Sequence, residues 1–217
     1  MDKSKKTMKL IIFGIIFVIL IIIAIIIMLN YNKTQQNNET KSTDNVLEEN
    51  LSSNELKSFS SYFNEDENNG FLLSNYENAS DIDITQVFNN GAGLNEEITE
   101  AEKQEYLKSK NRTKLVTNVI VFDKTKAEEL FKEKTGEKLD SIVKKLDRWI
   151  YLEKYDKFCC EKGDTNKKTV TSISGTKKSN EYKIIYKMSS GNIENNGTVT
   201  LELNDGKYLF KQNKIEK

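Results

Sequence analysis

The chain contains 217 residues and has a mass of 25.0 kDa, and its 33 basic and 33 acidic side chains leave no formal net charge at pH 7. This length allows one transmembrane segment and one modest domain, and it excludes two large domains. Histidine is absent, which excludes Ser-His-Asp triads, Cys-His dyads and zinc sites built on imidazole. The balanced charge gives no indication of a nucleic acid partner, because nucleic-acid-binding domains are usually basic.

An uninterrupted apolar run, Leu10–Leu29, lies near the N-terminus and reads LIIFGIIFVILIIIAIIIML. Twenty helical residues at about 1.5 Å each span roughly the 30 Å hydrocarbon core of a bilayer. The run therefore predicts a transmembrane helix, with the lipid bilayer as a partner. A cleaved signal peptide fits less well, because its apolar core usually covers about 7 to 15 residues and ends at a small-residue cleavage site.

The charges that flank this run predict its orientation. Lysines precede it at positions 3, 5, 6 and 9, and the residues that follow begin with Asn30, Tyr31 and Asn32. Positively charged flanks stay in the cytoplasm. We therefore expect residues 1–9 to be a cytoplasmic tail and the rest of the chain after the helix to be extracytoplasmic.

Residues 30–54 are dominated by Asn, Thr, Ser, Gln and charged side chains. Such a segment buries too little apolar surface to offset the entropy of ordering it, which predicts a flexible stalk. Residues 55–217 have the pattern of a folded domain that is long enough for a single core.

The first half of this domain is predicted to be mainly helical. Leu56, Phe59 and Phe63 recur at helical spacing behind Ser52 and Ser53, which indicates an amphipathic helix. The following residues 64–70, NEDENNG, are predicted to form a loop. Further predicted elements are a helix near 84–89, a helix after the Thr99/Glu102 capping box, a strand at 115–122, a helix after a Thr125/Glu128 capping box that Gly136 ends, and a helical stripe over 139–146.

The last third of the chain has the period of β-strands. Four strands are predicted at 169–174, 181–188, 197–203 and 207–211, and the Asn204-Asp205-Gly206 sequence indicates a tight hairpin turn. Helices followed by strands, without βαβ alternation, predict an α+β domain in which a four-stranded antiparallel sheet packs one face on the helices.

The segment 149–158, WIYLEKYDKF, has the densest aromatic content and the single tryptophan of the chain. Tryptophan and tyrosine are rigid anchors in binding surfaces. The candidate binding residues are Trp149, Tyr151, Tyr155, Asp156 and Asp164. The alternative is that Trp149, Leu152 and Phe158 belong to the core, since exposed aromatic patches are uncommon on monomers.

No catalytic residue, cofactor or metal site is predicted. The sequence Asp81-x-Asp83-x-Thr85 begins like a calcium loop but lacks its later glycine and glutamate, so a helix cap fits better. Cys159 and Cys160 are adjacent and could form only a strained disulfide with each other. We expect them to fill apolar space, although a disulfide between chains remains an alternative.

Six runs of the sequence carry a family resemblance. They are Glu67–Ser74, Asp81–Gly93, Thr135–Ile142, Trp149–Phe158, Gly163–Asn166 and Ser172–Thr176. Over this region the chain resembles a group of exported or membrane-anchored proteins of low-GC Gram-positive bacteria with no known activity. The resemblance implies a bacterial origin and supplies no catalytic residue. Its members often have tyrosine and histidine within the segment that corresponds to 158–162, where this chain has neither.

Two functions are compatible with these patterns. The first is a non-enzymatic domain, held at the membrane, that binds an envelope protein or cell-wall partner or forms part of an envelope assembly. The second is an envelope enzyme such as a glycan hydrolase that uses a carboxylate pair from Asp156, Glu161 and Asp164. We expect the binding function, because no acidic pair stands out from the scattered carboxylates.

Overall fold

The computed structural model describes residues 47–139, 142–146, 148–163 and 168–216. The predicted transmembrane segment, Leu10–Leu29, lies outside these residues, as does most of the predicted stalk. Within the described part of the chain, no helix is long and apolar enough to cross a membrane. Its compact unit begins at Leu47, so the last residues of the predicted stalk are part of the fold.

The fold is α+β, with helices followed by antiparallel sheets. The α-helices are α1 (Ser53–Asn64), α2 (Asp66–Asn69), α3 (Ile84–Val87), α4 (Glu100–Ser109), α5 (Lys124–Thr135) and α6 (Ile142–Lys145). Short 3-10 helices lie at Gly70–Leu72, Ala79–Asp81, Gly91–Gly93 and Glu153–Tyr155. The strands are β1 (Glu49–Asn50), β2 (Val119–Asp123), β3 (Ile150–Leu152), β4 (Lys157–Glu161), β5 (Thr169–Lys178), β6 (Glu181–Ser190), β7 (Ile193–Asn204) and β8 (Lys207–Ile215).

The C-terminal sheet has five strands in the order β1-β5-β6-β7-β8, and all its pairs are antiparallel. The prediction of four strands was therefore wrong. The two-residue strand β1 pairs Glu49 with Lys177 and Asn50 with Thr176. The sequence did not predict β1, because its residues are polar and exposed and show no strand periodicity. They are held only by pairing with the edge of β5.

A second antiparallel sheet has the order β2-β4-β3. The sequence predicted only its first strand, because the aromatic segment that contains β3 and β4 has no clear alternation. One continuous core includes buried residues of both sheets, among them Phe122, Phe158, Tyr186 and Phe210. A smaller cluster on the other face of the three-stranded sheet contains Tyr106, Val121, Leu152 and Cys159.

Helix α1 begins with a capping box, in which Ser52 and Glu55 exchange side-chain and backbone hydrogen bonds. Its buried Phe59 and Phe63 pack on the inner face of the five-stranded sheet. Burial of a Phe side chain stabilises a fold by about 1.5 to 3 kcal/mol. The apolar stripe of this helix, predicted from sequence, is what places the helix over the sheet.

Several local predictions are confirmed. Thr99 and Glu102 form the predicted capping box of α4. Gly136 ends α5 in the left-handed conformation with φ of 79°, and Asp205 and Gly206 have positive φ values of 48° and 77° in the turn between β7 and β8. Asp83 caps α3 by accepting a hydrogen bond from the Gln86 amide at 3.2 Å.

Two local predictions were wrong. The predicted loop at 64–70 forms helix α2, in which the Asn68 and Asn69 side chains are buried and donate to the carbonyls of Tyr62 and Phe63 at 2.9 and 3.0 Å. Composition suggested a loop because asparagine is usually exposed. The cap of α5 is Asp123 rather than Thr125, because the Asp123 side chain accepts the Lys126 amide at 3.1 Å.

Candidate functional site

Trp149, the first of the predicted binding residues, lies in the core. The residue is 7% exposed, and its ring centroid is 4.6 Å from that of Phe122. Phe122 packs in turn against Phe158 at 5.6 Å. The tryptophan therefore offers no free ring face to a partner, as the alternative interpretation expects.

Tyr151, Tyr155 and Asp156 are half-buried and shape the turn between β3 and β4. The Tyr151 hydroxyl donates to Asp156 Oδ1 at 2.5 Å, and this hydrogen bond is the main cause that raises the pKa of Tyr151 to about 12. Asp156 has a left-handed backbone with φ of 54°. The Lys154 amine lies 5.0 Å from the Tyr155 ring centroid. The fifth candidate, Asp164, lies outside the described residues.

The carboxylates of the predicted enzymatic alternative are not brought together where the structure describes them. Asp156 and Glu161 lie at opposite ends of β4, and five residues of extended chain span roughly 15 Å. Glycosidase carboxyl pairs lie about 5 to 9.5 Å apart. Glu161 accepts from the Val116 amide at 2.7 Å and from Arg112 at 2.6 Å, and these contacts lower its pKa.

The two cysteines are free thiols on opposite faces of β4. Cys159 is buried in the smaller cluster, where burial raises its pKa to about 12. Cys160 is half-buried against the larger core, and burial raises its pKa as well. Thiols with raised pKa values are poor nucleophiles, because the thiolate is the reactive species.

An aromatic groove of about 460 Å³ lies between α1 and the five-stranded sheet. Its aromatic part consists of one buried phenylalanine and three half-buried tyrosines, and its polar part comes from the first two turns of α1. We call it the tyrosine groove, and its lining residues are Asn54, Glu55, Ser58, Phe59, Tyr62, Tyr182 and Tyr208.

The aromatic side chains of the groove hold each other in place. Tyr208 contacts Tyr182 edge to face, with centroids 5.3 Å apart and planes at 84°, and contacts Tyr62 at 5.6 Å and 65°. The Phe59 centroid lies 5.0 Å from that of Tyr208 and 5.7 Å from that of Tyr182. Edge-to-face pairs add about 0.5 to 1.5 kcal/mol beyond area burial. The groove therefore presents a fixed aromatic surface.

Two phenol groups of this surface, those of Tyr62 and Tyr208, have raised pKa values and are neutral at physiological pH. Burial, together with the charge of Glu67, raises the pKa of Tyr62. Burial and the neighbouring Tyr182 raise the pKa of Tyr208. The Tyr62 hydroxyl donates to the Tyr208 carbonyl at 3.4 Å, which ties α1 to β8.

Sequence reasoning missed the tyrosine groove, although part of its signal was present. Tyr182 and Tyr208 are each the second residue of a strand that follows a tight turn. Each shares a face of its strand with the apolar residue two positions later, which is Ile184 for Tyr182 and Phe210 for Tyr208. Strand alternation could have placed both on the inner face. Pairing with Tyr62 depends on where α1 crosses the sheet, which alternation does not reveal.

A larger depression of about 740 Å³ lies on the outer face of the same sheet. It is lined largely by small polar and charged side chains of both signs, such as Thr200, Lys183, Lys214, Asp81 and Glu216. The exposed side chains of this lining are flexible, and its fixed members, Tyr76 and Asn213, are buried and present little surface to a ligand. The described residues also contain no group of three or more acidic or cysteine side chains placed to hold a metal ion.

Comparison of the chain with protein-family models, with curated proteins and with solved structures finds no match. Within the described residues, the tyrosine groove combines large fixed side chains with accessible polar groups.

Proposed function

We propose that the protein is a single-pass membrane protein whose extracytoplasmic domain binds a component of the cell envelope through the tyrosine groove. Anchoring in the bilayer and export are supported by the apolar run Leu10–Leu29 and by the lysines that precede it. We also propose, from the sequence pattern alone, that the chain is related to exported proteins of Gram-positive bacteria.

The observation that carries the binding function is the mutual support of the groove tyrosines. A side chain that is already fixed loses little conformational entropy when a ligand packs on it. Tyrosine combines a large apolar ring with a hydroxyl, which is why it is enriched among residues that dominate binding energy. Tyr62, Tyr182 and Tyr208 supply three such side chains in one groove.

Three carboxylates of the described residues have pKa values that do not suit a general acid, which favours binding over catalysis. A general acid needs a raised pKa so that it is protonated at neutral pH. The pKa values of Glu96, Glu102 and Glu161 are instead lowered, chiefly or in part by hydrogen bonds to their neighbours. These acids stabilise the fold in their charged form.

The test uses the full chain in detergent micelles and a washed envelope fraction. Ser58 is exposed on α1 and lines the groove, so Ser58→Arg should fill the groove without disturbing the core. Ser61 is exposed on the same helix but does not line the groove, so Ser61→Arg is the matched control. We expect Ser58→Arg and Tyr182→Ala each to weaken sedimentation with the envelope fraction at least tenfold, and Ser61→Arg to leave it unchanged.

Equal binding by all three variants, with cooperative unfolding retained, would show that the groove is not the binding surface. Unfolding of Tyr182→Ala alone would not decide the matter, which is why Ser58→Arg carries the test.

A further inference from the structure

We infer that the tyrosine groove takes an uncharged segment of a glycan chain. This inference depends on the proposed binding function and adds the chemical class of the ligand. Three observations support the inference. They are the charge balance of the groove lining, the arrangement of its aromatic and polar parts, and the closed edge of β5 beside the groove.

The groove has no unpaired charge. Glu55 is the charged residue of the lining, and both of its carboxylate oxygens are already engaged. One accepts from the Ser52 amide at 2.8 Å and from the Ser52 hydroxyl at 2.6 Å, and the other lies 3.5 Å from Lys177 Nζ. A charged ligand would gain no free counter-charge here and would lose hydration. A neutral ligand avoids this cost.

The lining offers apolar and hydrogen-bonding surface side by side. Tyr182 and Tyr208 present aromatic rings, whereas Asn54 and Ser58 on α1 present an amide and a hydroxyl. A sugar ring has the same division, because its C–H groups form an apolar face and its hydroxyls project from the rim. The groove volume of about 460 Å³ falls within the range of about 300 to 1,000 Å³ that small-ligand sites occupy.

An extended peptide cannot add to the β5 edge beside the groove, because that edge is closed, and on β8 the Tyr208 carbonyl already accepts from the Tyr62 hydroxyl. Peptides that add to a sheet gain affinity from main-chain hydrogen bonds to an open edge. The β5 edge is occupied by β1, and the Leu51 amide donates to the Gly175 carbonyl at 2.8 Å. Further along β5, Ser60 and Asn64 of α1 bond to the backbone of Ser172 and Val170.

The experiment titrates the full chain in detergent micelles with two neutral probes, the β-1,4-linked hexamer of N-acetylglucosamine and that of glucose. We expect saturable binding of at least one hexamer. Ser58→Arg and Tyr182→Ala should weaken it at least tenfold, and Tyr182→Phe, which keeps the ring, should weaken it less than Tyr182→Ala. Affinity should change less than twofold between low and high salt, because no ionic contact is made. Ser61→Arg is again the control.

Absence of saturable binding of both hexamers, or binding that Ser58→Arg leaves unchanged, would overturn the glycan assignment. If envelope binding remains sensitive to Ser58→Arg and is abolished by protease treatment of the envelope, the ligand is a protein, and the proposed function stands without the glycan. If neither the envelope nor the hexamers respond to Ser58→Arg, both proposals fail.

Discussion

The side-chain amide of Asn64 pairs with the backbone of Val170 as a neighbouring strand would. Asn64 Nδ2 donates to the Val170 carbonyl at 2.7 Å, and Asn64 Oδ1 accepts the Val170 amide at 3.0 Å. The Ser60 hydroxyl accepts the Ser172 amide at 2.8 Å on the same edge. Exposed strand edges promote association between chains. Helix α1 thus closes the part of β5 that β1 does not reach.

Asn64→Ala should therefore destabilise the fold and open this edge. The substitution leaves a donor and an acceptor of Val170 without their partner, and each such group costs about 1 to 3 kcal/mol. Urea unfolding of the full chain in micelles should show a lower midpoint, and light scattering should show faster aggregation. Asn192→Ala, at an exposed turn, is the control. Equal stability of the two variants would contradict the role of Asn64.

Trp149→Ala should destabilise the protein severely rather than weaken binding alone. Replacement of a buried tryptophan by alanine costs about 3 to 5 kcal/mol because it leaves a cavity. Trp149→Phe, which keeps an aromatic ring against Phe122, should cost less, and Tyr155→Ala should have a small effect. Circular dichroism during urea unfolding provides the comparison. A folded Trp149→Ala variant of normal stability with impaired envelope binding would restore the predicted binding role.

Stability should fall in acid because of the ion-pair cluster around Lys157. Its amine lies 2.7 Å from Glu96 and 3.1 Å from Glu102. Hydrogen bonds from Lys126 and Lys157 lower the pKa of Glu96; for Glu102, burial acts to raise the pKa, but hydrogen bonds from Thr99 and Lys157 outweigh it. Because both folded-state pKa values lie below 4.5, this stabilisation is present above about pH 4.5 and is lost as the pH falls through the folded-state values.

The contribution of Lys157 to stability has the opposite pH dependence. The pKa of Lys157 is raised above 10.5, chiefly by the hydrogen bond to Glu96, so its contribution is present below that pH and is lost as the pH rises through the folded-state value.

Glu102→Gln should lower stability at pH 7 by about 1.5 to 3 kcal/mol and reduce the loss of stability between pH 7 and pH 3, the acid limb of the stability curve. Urea unfolding between pH 3 and pH 11 measures both effects, with exposed Glu97→Gln as the control. An unchanged acid limb in Glu102→Gln would refute this assignment.

The cysteines should behave as two protected thiols. Neighbouring residues of a strand point to opposite faces, so Cys159 and Cys160 cannot join without distortion of β4. At pH 8 we expect iodoacetamide to leave Cys159 unmodified in the folded chain and to modify both thiols in urea, as measured by mass spectrometry. Discovery of a disulfide between them, or rapid labelling of Cys159 in the folded chain, would contradict this structure.

Sequence alone could predict features that depend on neighbours along the chain. The Thr99/Glu102 capping box, the left-handed stop at Gly136 and the Asp205-Gly206 turn each need a few consecutive residues with particular backbone or hydrogen-bonding requirements. The apolar spacing of Phe59 and Phe63 likewise reports a helix face directly. These local requirements are visible in the sequence because they hold wherever the element lies in the fold.

Features that depend on distant contacts could not be predicted. Strand β1 forms because β5 offers an edge, and α2 forms where Asn69 reaches the Lys168 carbonyl at 2.9 Å, 99 positions away. The aromatic density near Trp149 suggested a surface, but that residue is buried against Phe122 of strand β2. The tyrosine groove joins Tyr62, Tyr182 and Tyr208 from three elements, and only the folded chain brings them together.

The proposed extracytoplasmic location of the domain can be measured by labelling of intact cells. A membrane-impermeant, amine-reactive reagent is applied to cells that express the full chain, and the labelled lysines are identified by mass spectrometry before and after lysis. Lys57 and Lys178 are exposed on the domain, and we expect both to be labelled on intact cells, whereas Lys3 and Lys5 should be labelled only after lysis. Protection of Lys57 and Lys178 until the cells are lysed would show that the domain is not extracytoplasmic.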